Sequence, residues 1–411
     1  MLIFITNRVG PRWRCMNTTA RRWIWMVAAA AVLCAGCGSA NGPATASVTS
    51  TPTSSPLASP SSSPTSSTLC EAATRCLALV TLRGSSQVVV RDITDIAHPS
   101  TVGVVGPAPA LNGIGPSLEG SSGQFASSTQ VAYLGGNADD YYGLPTSLIR
   151  APLAGSPATT VLSGSRAVVV FAWSPDGSTL VYLTPTDFTG VEVHQVKANA
   201  DRVLATLPRI AVGGCEVAPC PGPFQNPGDM WDFRLAYSPD GNYISVVQSG
   251  ITSYLRILAA DGKQVAATDS QGSTMSVWSG NSLYFRDSVG VEVWRDGAFS
   301  TVLRGVSWIR PKASSDGRFI VYEARQLGAA NVFIFDTTTG QVRALGAGSE
   351  PAFLTSGYVW FEAEPPCVPS GTCQAGFPGI AVGKTYIYDI KAGTKSESAI
   401  TSVLDIWPHA A

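Results

Sequence analysis

The chain has 411 residues, 45% hydrophobic and only 13% charged, with 41 Gly, 28 Pro and a formal net charge of −1. A balance so even, without a long run of Lys or Arg in the body, lacks the electrostatic footprint of a nucleic-acid binder, so nucleic acid is not an expected partner. Many turn formers beside Val, Ile, Thr and aromatic residues favour short strands over helices, and a closed all-β architecture can absorb the whole length in one domain.

The N-terminus reads as an export signal. Arg21 and Arg22 precede the apolar run 23–35, which ends in Cys34-Ala35-Gly36-Cys37-Gly38-Ser39. A basic region, a short hydrophobic core and small residues before a cysteine are the parts of a secretory signal. The run is shorter than the ~20 residues that span a bilayer comfortably. The residues before Cys37 resemble the lipobox of bacterial lipoproteins, with Cys34 where that motif usually has Leu. The resemblance implies cleavage before Cys37 and lipidation of its thiol, with an ordinary cleaved signal or an uncleaved anchor as the alternatives. Met16 gives a more compact basic region than Met1 and is the more natural start. Residues 1–37 are thus expected to anchor the protein to a bacterial membrane, with the rest on the extracytoplasmic side of the envelope.

Residues 38–69 are almost wholly Ser, Thr, Pro and Ala. Such a segment has nothing to bury and cannot offset its ordering entropy, so it is expected to be a disordered tether. Beyond it six cysteines fall in local pairs, Cys70 with Cys76, Cys215 with Cys220 and Cys367 with Cys373. In an exported chain an even count reads as disulfides, each closing a small loop and contributing roughly 2 kcal/mol at most. A four-cysteine zinc site is the competing reading, but its pairs are usually tighter and belong in a reducing compartment.

From residue 70 to 411 the chain repeats itself. Trp-Ser-Pro-Asp-Gly-Ser-Thr-Leu-Val-Tyr-Leu (173–183) returns as YSPDGNYISVV (237–247) and as ASSDGRFIVYE (313–323). After each Asp-Gly, alternate apolar residues read as one inward face of a strand: Leu180 and Tyr182, Ile244 and Val246, Ile320 and Tyr322. Fainter copies add Val131, Leu283 and Val359 at the same position. The six anchors are then 49, 64, 39, 37 and 39 residues apart, a period near 40 with insertions, as expected of four-stranded propeller blades. A further strand, turn and strand follow the anchors, beginning at Val191, Tyr254, Val291, Asn331 and Thr385. Residues 76–105 hold three strands of a blade without its inner one, and the run 402–408 near the C-terminus is unpaired. The C-terminal run is expected to close the ring as that inner strand, giving an all-β propeller of seven blades, or six if the first segment only caps it.

The Ser-Pro-Asp-Gly-then-strand pattern resembles the WD40-like repeat of TolB-type propellers, also seen in relatives of prolyl oligopeptidase. The resemblance implies the fold; the partners of the Tol system do not follow from it. In the first copy Pro175 sets φ, Asp176 can bond to its own backbone and Gly177 accepts the left-handed conformation, so the tetrapeptide is a turn rather than a catalytic loop.

Material for catalysis is sparse. The three histidines, His98, His194 and His409, lie far from one another, and no G-x-S-x-G elbow occurs. No enzyme and no cofactor are expected. The loops from second to third strand and from outer strand to next inner strand share one propeller face, which should carry the longest insertions. Its candidate binding residues are Asp139, Asp140, Tyr141, Tyr142, Asp187, Trp231, Asp232, Trp308, Arg310, Arg325 and Glu362. Asp139 and Asp140 beside two tyrosines suit a sugar or a Ca²⁺ ion, against the alternative of a solvated loop. For Trp231 and Trp308, packing competes with lining the channel mouth. The expected function is a non-catalytic envelope lipoprotein, a monomer whose propeller binds a protein or an envelope glycan. The alternatives are a carboxylate-dependent glycan hydrolase or lyase, and an envelope assembly factor.

Overall fold

The structure, a computed structural model, describes residues 75–81, 87–95, 98–107, 123–138, 145–153, 157–164, 167–186, 190–208, 233–249, 252–271, 275–326, 329–363, 384–398, 400 and 402–407. Contacts divide the chain into Met1–Ser62 and Ser63–Ala411, and every described residue belongs to the second unit. The signal, Cys37 and the tether therefore lie outside the described residues. Among those residues no helix is long and apolar enough to cross a membrane.

The described chain forms seven four-stranded antiparallel sheets. Blade 1 holds β1 (Leu77–Thr81), β2 (Gln87–Asp92) and β3 (Ser100–Pro107); blade 2 holds β4 (Gln124–Ser127), β5 (Gln130–Ala138), β6 (Pro145–Pro152) and β7 (Thr159–Ser163). Blade 3 is β8 (Val170–Trp173), β9 (Thr179–Pro185), β10 (Gly190–Lys197) and β11 (Ala200–Pro208). Blade 4 is β12 (Phe233–Tyr237), β13 (Tyr243–Gln248), β14 (Thr252–Ala259) and β15 (Gln264–Gln271). Blade 5 runs through β16 (Ser276–Ser279), β17 (Ser282–Arg286), β18 (Gly290–Arg295) and β19 (Ala298–Arg304). Blade 6 runs through β20 (Trp308–Ala313), β21 (Phe319–Gln326), β22 (Ala329–Asp336) and β23 (Val342–Ala347). Blade 7 is β24 (Ser349–Thr355), β25 (Tyr358–Glu362), β26 (Thr385–Asp389) and β27 (Thr394–Ser398). The last strand, β28 (Ser402–Trp407), returns to blade 1 as its inner strand, pairing from Leu77↔Trp407 to Thr81↔Ser402. The fold is a seven-bladed β-propeller closed by its C-terminal strand, as the unpaired run predicts.

All six anchors sit on the second strand of a blade, each opposite an inner-strand partner. These partners are Phe125, Trp173, Tyr237, Trp278, Ala313 and Phe353 in chain order. The alternation after each Asp-Gly, however, is not a single inward face. Leu180 and Tyr182 pack toward blade 2, while Val181 and Leu183 pack toward blade 4. Every blade lies between two others, and the described residues form seven apolar clusters, one at each blade junction. That is why these strands read as near-continuous apolar runs, the pattern of a sheet buried on both faces.

The repeated turn has one architecture in three blades. The Ser174 hydroxyl donates to Asp176 Oδ1 at 2.5 Å and accepts the Thr179 amide at 2.9 Å, while Asp176 Oδ1 accepts the Ser178 amide at 3.0 Å. Ser238 with Asp240 and Ser314 with Asp316 repeat the pattern. The third copy has Ser315 in place of proline, so the Ser–Asp pair and the glycine define the turn. Gly177 has φ +67°, and a Cβ there would lie 2.5 Å from the Ala126 carbonyl oxygen of blade 2. The turn therefore needs glycine for its backbone and for its approach to the next blade.

The Ser174 hydroxyl, then the amide and hydroxyl of Ser178, hold the Asp176 carboxyl down at about 2. At Asp336, burial pushes the other way but is outweighed by Thr338, Thr339 and Arg318, leaving it also at about 2. Both values are depressed from an ordinary 3.8. Their contribution is thus present above pH ~4 and is lost as pH falls through the folded value. Thermal melts across this range should show stability declining from pH ~4 toward pH 2. A double Asp176→Asn, Asp336→Asn variant should decline less steeply.

Candidate binding face

Inner strands begin, and second strands end, on the face carrying the second-to-third and outer-to-inner connections. Of the eleven expected binding residues, the structure describes Trp308, Arg310, Arg325 and Glu362, and the other seven, Asp139, Asp140, Tyr141, Tyr142, Asp187, Trp231 and Asp232, lie outside the described residues. Among the cysteines only Cys76 is described, and it is buried; the other members of the expected pairs lie outside the described residues.

Of the two readings of Trp308, packing and lining the mouth, the structure shows packing. The residue is fully buried, donates its indole N–H to the Met275 carbonyl at 3.2 Å, and has its ring 5.7 Å from that of Tyr322. The first residue of an inner strand here turns into the junction of blades 5 and 6, where the large ring removes most apolar area from water. It is a packing residue.

Arg310 and Arg325 do come together, through a strand residue, Glu323, rather than a loop residue. Glu323, on β21, is 0% exposed. Its Oε1 accepts from Arg325 Nε at 2.7 Å and its Oε2 from Arg310 Nη1 at 3.2 Å. The backbone amide of Glu350, in blade 7, lies 3.4 Å from Oε2, and the Glu350 carboxylate lies 3.7 Å from Arg310 Nη2. A buried carboxylate is tolerated only when paired and hydrogen-bonded, and Glu323 is both.

The inner strands are shaped to make this cluster. Arg310 and Glu350 both have positive φ, 49° and 53°, rare for residues other than glycine. Each precedes a proline, Pro311 and Pro351, which cannot donate to the ladder and is confined to edges and bulges. The register accordingly shifts between Ile309 and Lys312 in blade 6, and between Ser349 and Ala352 in blade 7. A bulge re-aims side chains, and these two bulges flank Glu323. Backbone strain of this kind persists where surrounding structure over-determines it. The Arg310 guanidinium is 18% exposed, that of Arg325 25%, and the Glu350 carboxylate 43%, so the cluster runs from a buried root to an accessible rim.

Glu362 ends β25 opposite Ser349 and is half-buried. It occupies the same rung as Glu323, three residues after the blade anchor. Counting three from each anchor gives Leu134, Leu183 and Val247 in blades 2 to 4, but Arg286, Glu323 and Glu362 in blades 5 to 7. A charge at a rung that is apolar elsewhere is the sequence signal that would have found Glu323. It closes the quoted repeat ASSDGRFIVYE. Among the described residues no group of three His, Cys, Asp or Glu could hold a metal ion. The residues on which the Ca²⁺ expectation rests are outside them.

No family model matches the chain, and no curated protein does. Solved structures do resemble it. A protein from Lactobacillus plantarum is 12% identical over 81% of this chain and 98% of its own, with a TM-score of 0.50. The oligogalacturonate lyase of Vibrio parahaemolyticus is 9% identical over 78% and 84%, with a TM-score of 0.47. TolB from Acinetobacter baumannii is 16% identical over 79% of each chain, with a TM-score of 0.40. At such identities these are likenesses of fold alone, and they accompany a seven-bladed propeller whose candidate site rests on its own residues.

Proposed function

We propose that the protein is a lipid-anchored, extracytoplasmic binding protein of the bacterial envelope, built on WD40-like repeats of the TolB type. Its decorated face engages a protein or an envelope glycan without catalysis. The observation that carries this reading is the cluster on the blade 6–7 mouth: buried Glu323 holds Arg310 and Arg325 at a partly exposed rim. Burying a carboxylate costs several kcal/mol before its partners offset it, and an apolar residue stands at the same rung of blades 2 to 4. Rigid scaffolds concentrate recognition at such positioned loop and strand ends. Cys37, the tether and the paired cysteines support an exported location through sequence.

The test is photo-cross-linking in intact cells from a site beside Arg325, comparing wild type with the Arg310→Ala, Arg325→Ala double variant. Capture of one defined protein or glycan, reduced about tenfold in the double variant, is expected for loss of charge-assisted contacts. Equal capture by both proteins would overturn the reading. Turnover of a polysaccharide that disappears on Glu350→Gln or Glu362→Gln substitution would replace it with the hydrolase or lyase. An envelope-permeability defect on deletion, without any captured ligand, would favour the assembly role.

A further inference from the structure

The gap between blades 4 and 5 carries a polar set that the Glu323 cluster does not use. Arg234 is the second residue of β12. Phe233 and Leu235 pack toward blade 3 and Ala236 toward blade 5, so alternation turns Arg234 toward blade 5. On β16, Trp278 packs toward blade 4 and Val277 toward blade 6, which turns Ser276 toward blade 4. Ser276 pairs with Phe285, and Phe285 with Glu292 of β18. Ser276, Phe285 and Glu292 therefore form one row across blade 5 on the side that faces Arg234. The row lies toward the mouth and spans about 10 Å at the ordinary spacing of neighbouring strands.

Nothing among the described residues answers the charge of Arg234. Its Nε is closed off from solvent and has no hydrogen-bond partner, and no carboxylate or ring pairs with its guanidinium. Glu292 is the acid of the facing row. Burial and the like charge of Asp287 raise its carboxyl, against the Thr301 hydroxyl, so Arg234 does not neutralise it. Asp287 accepts the Val289 amide, and Arg286, the neighbouring cation, turns with Tyr284 toward blade 6. A desolvated, unsatisfied donor costs stability. The same rung, opposite the third residue after the anchor, holds Val170 in blade 3 and Met275 in blade 5, so packing does not call for an arginine there.

We propose, on the reading of this face as a binding face, that the mouth of the gap between blades 4 and 5 is a subsite for an acidic sugar of an envelope glycan. The sugar carboxylate pairs with the Arg234 guanidinium, and sugar hydroxyls donate to Glu292 and share a hydrogen bond with Ser276. Arg234, Ser276 and Glu292 are each half-buried, so the ligand meets their tips while their roots stay enclosed. The guanidinium fork matches a carboxylate in charge and in plane. A uronic acid carries one carboxylate beside a run of hydroxyls, which suits a cation facing a hydroxyl and a carboxylate. An acidic peptide supplies the carboxylate without the hydroxyls.

The experiment measures binding to the full chain by calorimetry with three probes. These are a glucuronate oligosaccharide, the same oligosaccharide with its carboxylates reduced to primary alcohols, and a short polyglutamate peptide. Saturable binding of the acidic sugar, about tenfold tighter than that of its reduced form, is the expected result, the size of one charge-assisted hydrogen bond. Arg234→Met should abolish that preference, and Arg234→Lys should keep part of it. Glu292→Gln should weaken both sugars alike. Arg234→Met should also melt no lower than wild type, because it replaces an unsatisfied donor with the residue that fills this rung in blade 5. A lower melting temperature would mark the arginine as structural and overturn the subsite. So would absent binding of the acidic sugar, equal affinity for its reduced form, a preference that survives in Arg234→Met, or tighter binding of polyglutamate. If cross-linking from beside Arg325 still captures its ligand in that event, the subsite falls and the binding face stands. If the acidic sugar binds as expected but capture is equal in the Arg310→Ala, Arg325→Ala double variant, the reverse holds.

Discussion

A chain ending at residue 400 should fail to show a cooperative thermal transition and should bind apolar dyes. Removing β28 strips β1 of its partner along Leu77 to Thr81. It also removes Val403 and Ile406 from the junction of blades 1 and 7, and Trp407 from that of blades 1 and 2. The Asp405 carboxylate, which accepts the Phe125 amide of blade 2 at 2.6 Å, goes with them. The exposed β1 would be a long, apolar, unpaired edge, the kind that templates aggregation. Two junctions out of seven would be damaged in a fold whose total stability is of order 5–15 kcal/mol. A peptide of residues 402–411 supplied in trans should recover part of the transition. The point variant Asp405→Ala isolates the link to blade 2 and should cost about 1–3 kcal/mol, the penalty of an orphaned backbone donor. Normal melting of the truncated chain would show that the ring is held without its closing strand.

Glu323→Ala should be the most damaging single substitution at the mouth, at about 3–5 kcal/mol in a denaturant titration. The substitution leaves two guanidinium groups in a partly buried place without their common acceptor, and it also removes the acceptor facing the Glu350 amide. Glu323→Gln keeps the shape and some hydrogen bonding and should cost less. Combining Glu323→Ala with Arg310→Ala and Arg325→Ala should recover part of the loss, because an uncompensated charge is what makes the single change costly. By contrast, Glu362→Ala, at the same rung of blade 7 but half-buried, should stay near or below 1 kcal/mol. If Glu323→Ala melted like wild type, the cluster would be neither well paired nor buried in solution, and the proposed binding face would lose its root.

Both expectations start from features whose legibility in the chain differs sharply. Closure by β28 could be read because an unpaired apolar run at one end complements a blade short of a strand at the other. The turns at Ser174, Ser238 and Ser314 could be read because their chemistry is local, each network closing within five residues. Glu323 is not legible as a site residue in the sequence, since a carboxylate after an apolar strand reads as its solvated end. Arg310 and Arg325 are legible through their places near loops, but their common partner is not. For Trp308 the sequence leaves packing and the mouth both open, and its indole fills a blade junction.

What the sequence determined by itself was the repeat: six anchors, the Ser–Asp–Gly turns and a C-terminal run suited to close the ring, with seven or six blades. These follow from periodicity and short-range backbone chemistry, which do not depend on which blade lies next door. Tertiary structure alone decided which polar residues meet. Packing each sheet between two others buries both its faces, so a side chain near the mouth can end either in a junction, like Trp308, or at the rim, like Arg310. Bulges at Pro311 and Pro351 set that choice for Arg310 and Glu350, and the register of β16, β17 and β18 set it for Ser276 and Glu292. Contacts made across strands and blades depend on register and burial together, and neither is encoded at any single position of the chain.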